Sequence, residues 1–300
     1  LWGMLEPGMG VQFAAGAAWK RRWYDPATRP IADDFETAAG RIRQLVAAGS
    51  TERTISDVPV CTLLSGGIDS SAVLVDLLKA IPDITAYAAV MDPRSPDLKA
   101  ARRLASELGV RLVEVRVPSP TADDLAAVVA TIEMPFKAQV EIGWACIHLA
   151  DAMHRDGFKV TFSGEGSDEL WASYGFAYHA LKTEGWHQYR KDLILDQGRK
   201  NFARCNKIFM AYSVECRLPF LHTPLVEYAL SLRRESVQKK ARPKAVMQEA
   251  YRGVLPDEIV KRQKLAFQDG MKMKAAAARA VADPKSFYSA EFRRLSAGSA

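Results

Sequence analysis

Apolar residues recur along this chain in two rhythms, and the balance between them changes near residue 170. Val58–Leu64, Thr85–Met91, Arg111–Val117 and Lys159–Phe162 are short, apolar-dominated runs with the length and composition of strands. Between them lie segments with helical spacing. These are Ser70–Ile81, Pro96–Leu108 closed by Gly109, Thr121–Glu133 with Thr121 as N-cap and Asp124 three positions on, and Gly143–Arg155 closed near Gly157. Strands alternating with helices predict an α/β fold: a twisted parallel sheet with helices on both faces, whose ligands lie beyond the carboxyl ends of the strands. After Phe162 no strand signal is found. Tyr174–Leu195, Phe202–Tyr212, Thr223–Leu232, Pro243–Arg252 and the alanine-rich Lys274–Ala300 predict a helical C-terminal lobe. Ahead of the first strand, Phe35–Ala48 has amphipathic helical spacing, Asp25–Asp34 is a proline-bearing linker, and Leu1–Tyr24 is glycine-punctuated hairpin material.

Composition narrows the class. The 300 residues are 48% hydrophobic and 25% charged, ordinary for a globular protein. No apolar run approaches the roughly 20 residues of a membrane span, and no signal peptide is seen, so no membrane partner is expected. The net charge of +6 suits anionic ligands such as nucleotides. The basic residues are scattered, apart from Lys239–Lys244, and no nucleic-acid-binding motif accompanies them, so nucleic acid is not expected as a partner. Cys61, Cys146, Cys205 and Cys216 are widely spaced, which points to reduced core thiols and a cytoplasmic compartment. The histidines show no metal-ligand spacing.

Two glycine loops carry the candidate chemistry. The first, Ser65-Gly66-Gly67-Ile68-Asp69-Ser70, joins a strand to a helix. Its glycines let the backbone turn tightly and approach a ligand, and its serines and helix-start amides make a pocket for an anion. Asp69 beside that pocket would repel bare phosphate, which suggests a bridging Mg²⁺. The second loop, Ser163-Gly164-Glu165-Gly166-Ser167-Asp168-Glu169, leaves the last strand and repeats the same physics. Three carboxylates within five residues raise one another's pKa unless a cation joins them.

The first loop is not a Walker A sequence. It resembles the pyrophosphate loop, Ser-Gly-Gly-x-Asp-Ser, of the ATP pyrophosphatase group. Taken with Ser56-Asp57-Val58-Pro59, Ser95–Ala101, Ser163–Leu170, Ser213–Leu221 and Arg262-Gln263-Lys264, the chain resembles the synthetase domain of asparagine synthetase and its relatives. The resemblance implies ATP and Mg²⁺ as cofactors, a carboxylate substrate such as aspartate, and ammonia. It implies that Ser65, Gly66, Gly67, Asp69 and Ser70 hold the ATP phosphates, that Leu63 and Val90 flank the adenine and ribose, and that Ser163 and Gly164 touch the nucleotide. Asp69 and Asp168 would bind Mg²⁺, and Lys244 would contact pyrophosphate. Glu165 would be the general base and Lys264 would stabilise charge on the phosphates and the adduct. Residues 1–34 would be the hairpin and linker of a preceding glutaminase-type domain. Residues 35–300 would be the synthetase domain, with 35–170 its nucleotide-binding core and 171–300 its helical lobe.

The departures fall on the acceptor side. Residue 1 is Leu where the family's glutaminase nucleophile is an N-terminal cysteine, so this chain is expected to use free ammonia, a separate glutaminase, or a region beyond it. Ala172-Ser173 replaces a usual Gly-Gly pair, and His222 replaces a usual aspartate. Three readings stay open: asparagine synthesis; a related cyclase of the β-lactam synthetase or lasso-peptide type acting on another carboxylate; and a non-catalytic nucleotide-binding module. A homodimer is among the assemblies the resemblance allows.

Overall fold

The computed structural model describes residues 5–174, 185–239, 242, 244–262 and 272–297. A two-stranded antiparallel hairpin comes first, β1 (Met9–Ala14) and β2 (Ala17–Arg22). Ala15 and Gly16 turn it with φ of 47° and 75°, and two positive φ angles are what the twist of such a hairpin requires. Helix α1 (Phe35–Thr51) follows, its N-cap Asp34 accepting from the Thr37 amide at 2.7 Å.

The main sheet has five parallel strands. β3 (Val60–Leu63), β4 (Thr85–Val90), β5 (Arg111–Arg116), β6 (Val160–Phe162) and β7 (Glu215–Arg217) lie in the order β5-β4-β3-β6-β7. Helices α2 (Ile68–Leu77) and α3 (Pro96–Glu107) cross back along one face. α4 (Ala122–Ile132), with the Thr121–Asp124 capping box expected, and α5 (Lys137–Arg155) lie on the other. Alternate strand residues point to the two layers: Ala86, Val160 and Phe162 to the first, Cys61 and Tyr87 to the second. All four cysteines are free thiols, and among the described residues no helix is long and apolar enough to cross a membrane.

β7 corrects the expectation of no strand after Phe162. It is three residues long, lies at the sheet edge and alternates Glu215-Cys216-Arg217, so it lacks an apolar run. Pairing with β6 makes it a strand: Val160 lies opposite Glu215 and Phe162 opposite Arg217. The C-terminal segment also differs. Pro284 divides it into α12 (Met273–Ala280) and α13 (Pro284–Ala297).

The helices of the second half complete both layers. α6 (Ser167–Trp171), α7 (Trp186–Gln197), α9 (Thr223–Ser231), α10 (Ala245–Ala250) and α11 (Asp257–Val260) join the layer of α1 and α2. α8 (Asn201–Ala211) packs beside α4 and α5. Arg190 of α7, fully buried, donates to the carbonyls of Leu170, Ala229 and Leu232 at 3.0, 2.7 and 2.9 Å, tying α6 to the end of α9. On α2, the buried Asp76 carboxylate accepts from Arg43 of α1 at 2.6 Å and from the Tyr251 hydroxyl at 2.7 Å. That link braces the helix carrying the first glycine loop. Asp76→Ala should therefore cost about 3 kcal/mol of unfolding free energy in a urea titration, because it strands a half-buried guanidinium.

Candidate active site

β3 and β6 are the adjacent strands from which the chain turns in opposite directions, so the loops leaving them meet at the switch point beyond the strand ends, where ligands bind in such sheets. The loop after β3 is knitted by its serines. The Ser65 amide donates to Ser70 Oγ at 3.1 Å, the two hydroxyls lie 3.0 Å apart, and Ser70 Oγ donates to the Gly67 carbonyl at 3.2 Å. Gly66 has φ of 77°, and a Cβ there would sit 2.2 Å from the Asp97 carbonyl oxygen, so only glycine fits. Gly67 has no side chain to cap α2, which leaves first-turn amides for another acceptor.

The loop after β6 packs onto the first. A Cβ on Gly164 would lie 2.9 Å from the Ser70 nitrogen. Ser167 Oγ donates to Asp69 Oδ1 at 2.6 Å and accepts from the Trp171 indole at 3.0 Å. The Lys244 ammonium, 7% exposed, pairs with Asp69 Oδ2 and, at 2.8 Å, with Asp168 Oδ1. The two carboxylates expected to hold Mg²⁺ thus converge on one cation. Among the described residues no group of three His, Cys, Asp or Glu side chains forms a metal site. Two carboxylates suit Mg²⁺, which takes its remaining ligands from water and phosphate.

Glu165 points to a second basic partner. Arg204 of α8, 1% exposed, donates to Glu165 Oε1 at 2.5 Å and to Gln139 Oε1 at 2.6 Å. Gln139 donates on to Asn201 at 2.7 Å, and Asn201 to Glu169 Oε1 at 2.9 Å; the Tyr174 hydroxyl donates to the same oxygen at 2.6 Å. The crowding of acids acts on Glu169. Burial, then the nearby Glu165 and Asp168 charges, push its carboxyl up to about 7, against the hydrogen bond from Tyr174.

The remaining expected residues are distributed as follows. Leu63 ends β3 and Val90 ends β4, both at the carboxyl edge of the sheet. The Ser163 amide donates to the Arg217 carbonyl at 3.0 Å, and its hydroxyl accepts from the Glu165 amide at 3.3 Å. Lys264 lies outside the described residues. Its neighbour Arg262 donates to the Gly66 carbonyl at 3.2 Å and pairs with Asp97, holding the first loop against α3. Arg204, Gln139, Asn201 and Ser167 carry no role in the sequence reading; the first three come from two helices and form no motif. A recess of about 570 Å³ is lined by Ile55, Asp57, Lys159, Glu215 and Arg217, residues at or before the amino ends of β3 and β6 and in β7.

Fold and site together define a parallel α/β protein whose two strand-end glycine loops meet beside paired carboxylates. The chain belongs to the asparagine synthase family, whose model matches residues 41–203 and 184–286. It is 27% identical over 296 residues to asparagine synthetase B [glutamine-hydrolyzing] of Escherichia coli (strain K12), covering 91% of this chain and 52% of that protein. It is 30% identical over 251 residues to human asparagine synthetase [glutamine-hydrolyzing], covering 79% of this chain and 44% of that one. The chain spans about half the length of the curated relatives it matches. A solved structure, the U34-tRNA thiolase NcsA of Methanococcus maripaludis, covers 87% of this chain with a TM-score of 0.39 and 12% identity, a likeness too loose to carry an argument.

The raised Glu169 carboxyl predicts a pH signature in metal-free protein. The folded state holds the proton up to about pH 7, whereas the unfolded chain releases it near 4.5. Stability from this group is therefore fully present below pH 4.5 and is lost as pH rises through 7. Glu169→Gln should be more stable than wild type at pH 8 by about 3 kcal/mol, with the difference vanishing near pH 4, read by urea titration across that range.

Proposed function

We propose that this chain forms an amide through an acyl-adenylate: aspartate, ATP and ammonia give asparagine, AMP and pyrophosphate. The observation that carries the reading is the convergence of the Ser65–Ser70 and Ser163–Asp168 loops at the crevice between β3 and β6, in a chain of the asparagine synthase family. The Ser65–Ser70 loop and the start of α2 receive the phosphates, with Leu63 and Val90 beside the adenine and ribose, and Ser163 and Gly164 against the nucleotide. Asp69 and Asp168 hold Mg²⁺, which when bound offsets the charge that builds on the phosphates. A substrate carboxylate oxygen attacks the α-phosphorus and the bond to pyrophosphate breaks. Lys244 and Lys264 supply the positive charge that stabilises the departing pyrophosphate.

Ammonia then attacks the acyl carbon, and the adduct expels AMP. Glu165 accepts the proton that the nitrogen must lose. Arg204 holds that carboxylate by one oxygen, Oε1. The nitrogen-releasing half implied by the names of the relatives is outside this proposal, so ammonium is the donor to assay.

The test is AMP and pyrophosphate release with Mg·ATP and ammonium, with and without aspartate. Aspartate-dependent release with asparagine as product is expected; release indifferent to aspartate would refute the substrate assignment. Glu165→Gln should lower asparagine formation by about 10²–10⁴-fold while aspartate-dependent ATP–pyrophosphate exchange persists. Equal loss of both would remove Glu165 from the second step.

A further inference from the structure

Lys244 occupies the point on which the two proposed magnesium carboxylates converge. Its ammonium pairs with Asp69 and, at 2.8 Å, with Asp168, and the lysine is almost wholly buried. Nearby acids are committed elsewhere: Glu165 to Arg204, Glu169 to Tyr174 and Asn201, and Asp97 to Arg262. One buried ammonium thus bridges both carboxylates. A bare divalent cation entering between them would bring two positive charges against that ammonium and take both carboxylate acceptors from it while it stays buried. A nucleotide polyphosphate changes that balance. Its oxygens supply negative charge to the metal and new acceptors to the lysine at once.

Resting on the reading of Asp69 and Asp168 as the magnesium carboxylates, we infer that Lys244 reserves this pair in the free protein, so that a divalent cation is retained only together with a nucleotide polyphosphate. The lysine is then a positioning residue with two stations. In the free chain it holds the carboxylates together; with nucleotide bound it moves its charge to the phosphates. Metal and nucleotide must consequently raise each other's affinity by the same factor, because the same displaced ion pair links them.

The probe is Mn²⁺, with retention by the whole chain measured by ultrafiltration, alone and with α,β-methylene ATP. Wild type should retain Mn²⁺ only weakly alone and strongly with the analogue. Lys244→Met and Lys244→Gln should each retain Mn²⁺ alone about tenfold more tightly or better, because the competing charge is gone. Adding Asp168→Asn should erase that gain, and Lys244→Arg, which keeps the charge, should show none. Wild type that holds Mn²⁺ equally well with and without the analogue overturns the inference with no variant needed. Folded Lys244→Met and Lys244→Gln proteins that bind Mn²⁺ no better than wild type overturn it too, while nucleotide-dependent retention by wild type would leave the site assignment standing. If wild type retains no Mn²⁺ even with the analogue, the assignment of the carboxylates falls and takes the inference with it.

Discussion

Gly164 lies so close to the first turn of α2 that a single added carbon would sit 2.9 Å from the Ser70 nitrogen. The active end of the molecule depends on that contact between two backbones. β3 and β6 are hydrogen-bonded neighbours, so their carboxyl ends begin only about 5 Å apart. The chain must leave both ends and enter two helices, α2 and α6, without forcing the loops apart. Glycine at 164 allows the loops to touch, and Gly66 lets the first of them also touch the α3 backbone. The result sets Asp69 and Asp168, each in the first turn of its own helix, at opposite sides of one cation-sized point.

Bringing acids together in a half-buried crevice is unfavourable unless each finds a counter-group. Here each does, and among the described residues these counter-groups come from the second half of the chain. Lys244 serves Asp69 and Asp168, Arg204 serves Glu165, Asn201 and Tyr174 serve Glu169, and Arg262 holds Asp97. The later helices are thus an electrostatic necessity of the first sheet's loops, and they also fill both packing layers. This explains why the segment after Phe162 cannot be regarded as an appendage to a finished nucleotide-binding core. Without it, the acidic loop would lose its cations as well as its cover.

What the sequence made legible follows the same division. The alternation of strand and helix from Val58 to Phe162, the Thr121–Asp124 cap and the two glycine loops are local, contiguous signals, and they appear in the structure where expected. β7 was not legible because an edge strand with Glu215 and Arg217 flanking Cys216 owes its conformation to β6 and not to its own pattern. Arg204 and Gln139 were not legible because they lie 65 residues apart on two helices and meet only when α5 and α8 pack. The expectation that crowding would raise an acid's pKa was sound as electrostatics. The raised carboxyl is that of Glu169, which is singled out by burial, and burial is decided by the fold.

The two departures from the family pattern, at Ala172 and His222, are both absorbed into the structure. Ala172, standing where a glycine is usual, has φ of 50° and ψ of 45°, a left-handed backbone that costs a non-glycine residue about 1–2 kcal/mol. Its methyl is fully buried in the first core layer, which returns about 0.8 kcal/mol. The turn is also secured by the Ser173 amide donating to the Asp168 carbonyl at 2.9 Å. The turn therefore keeps a glycine-like path while gaining a packed methyl group. His222 is likewise absorbed into structure: its Nδ1 lies 2.9 Å from the Arg53 guanidinium, and burial and Arg53 hold its pKa below the usual histidine range. Neither substitution introduces a new charge into the crevice. Among the described residues, the cations that reach the two loops from outside them are Arg204, Lys244 and Arg262, each paired with an acid in or beside the loops.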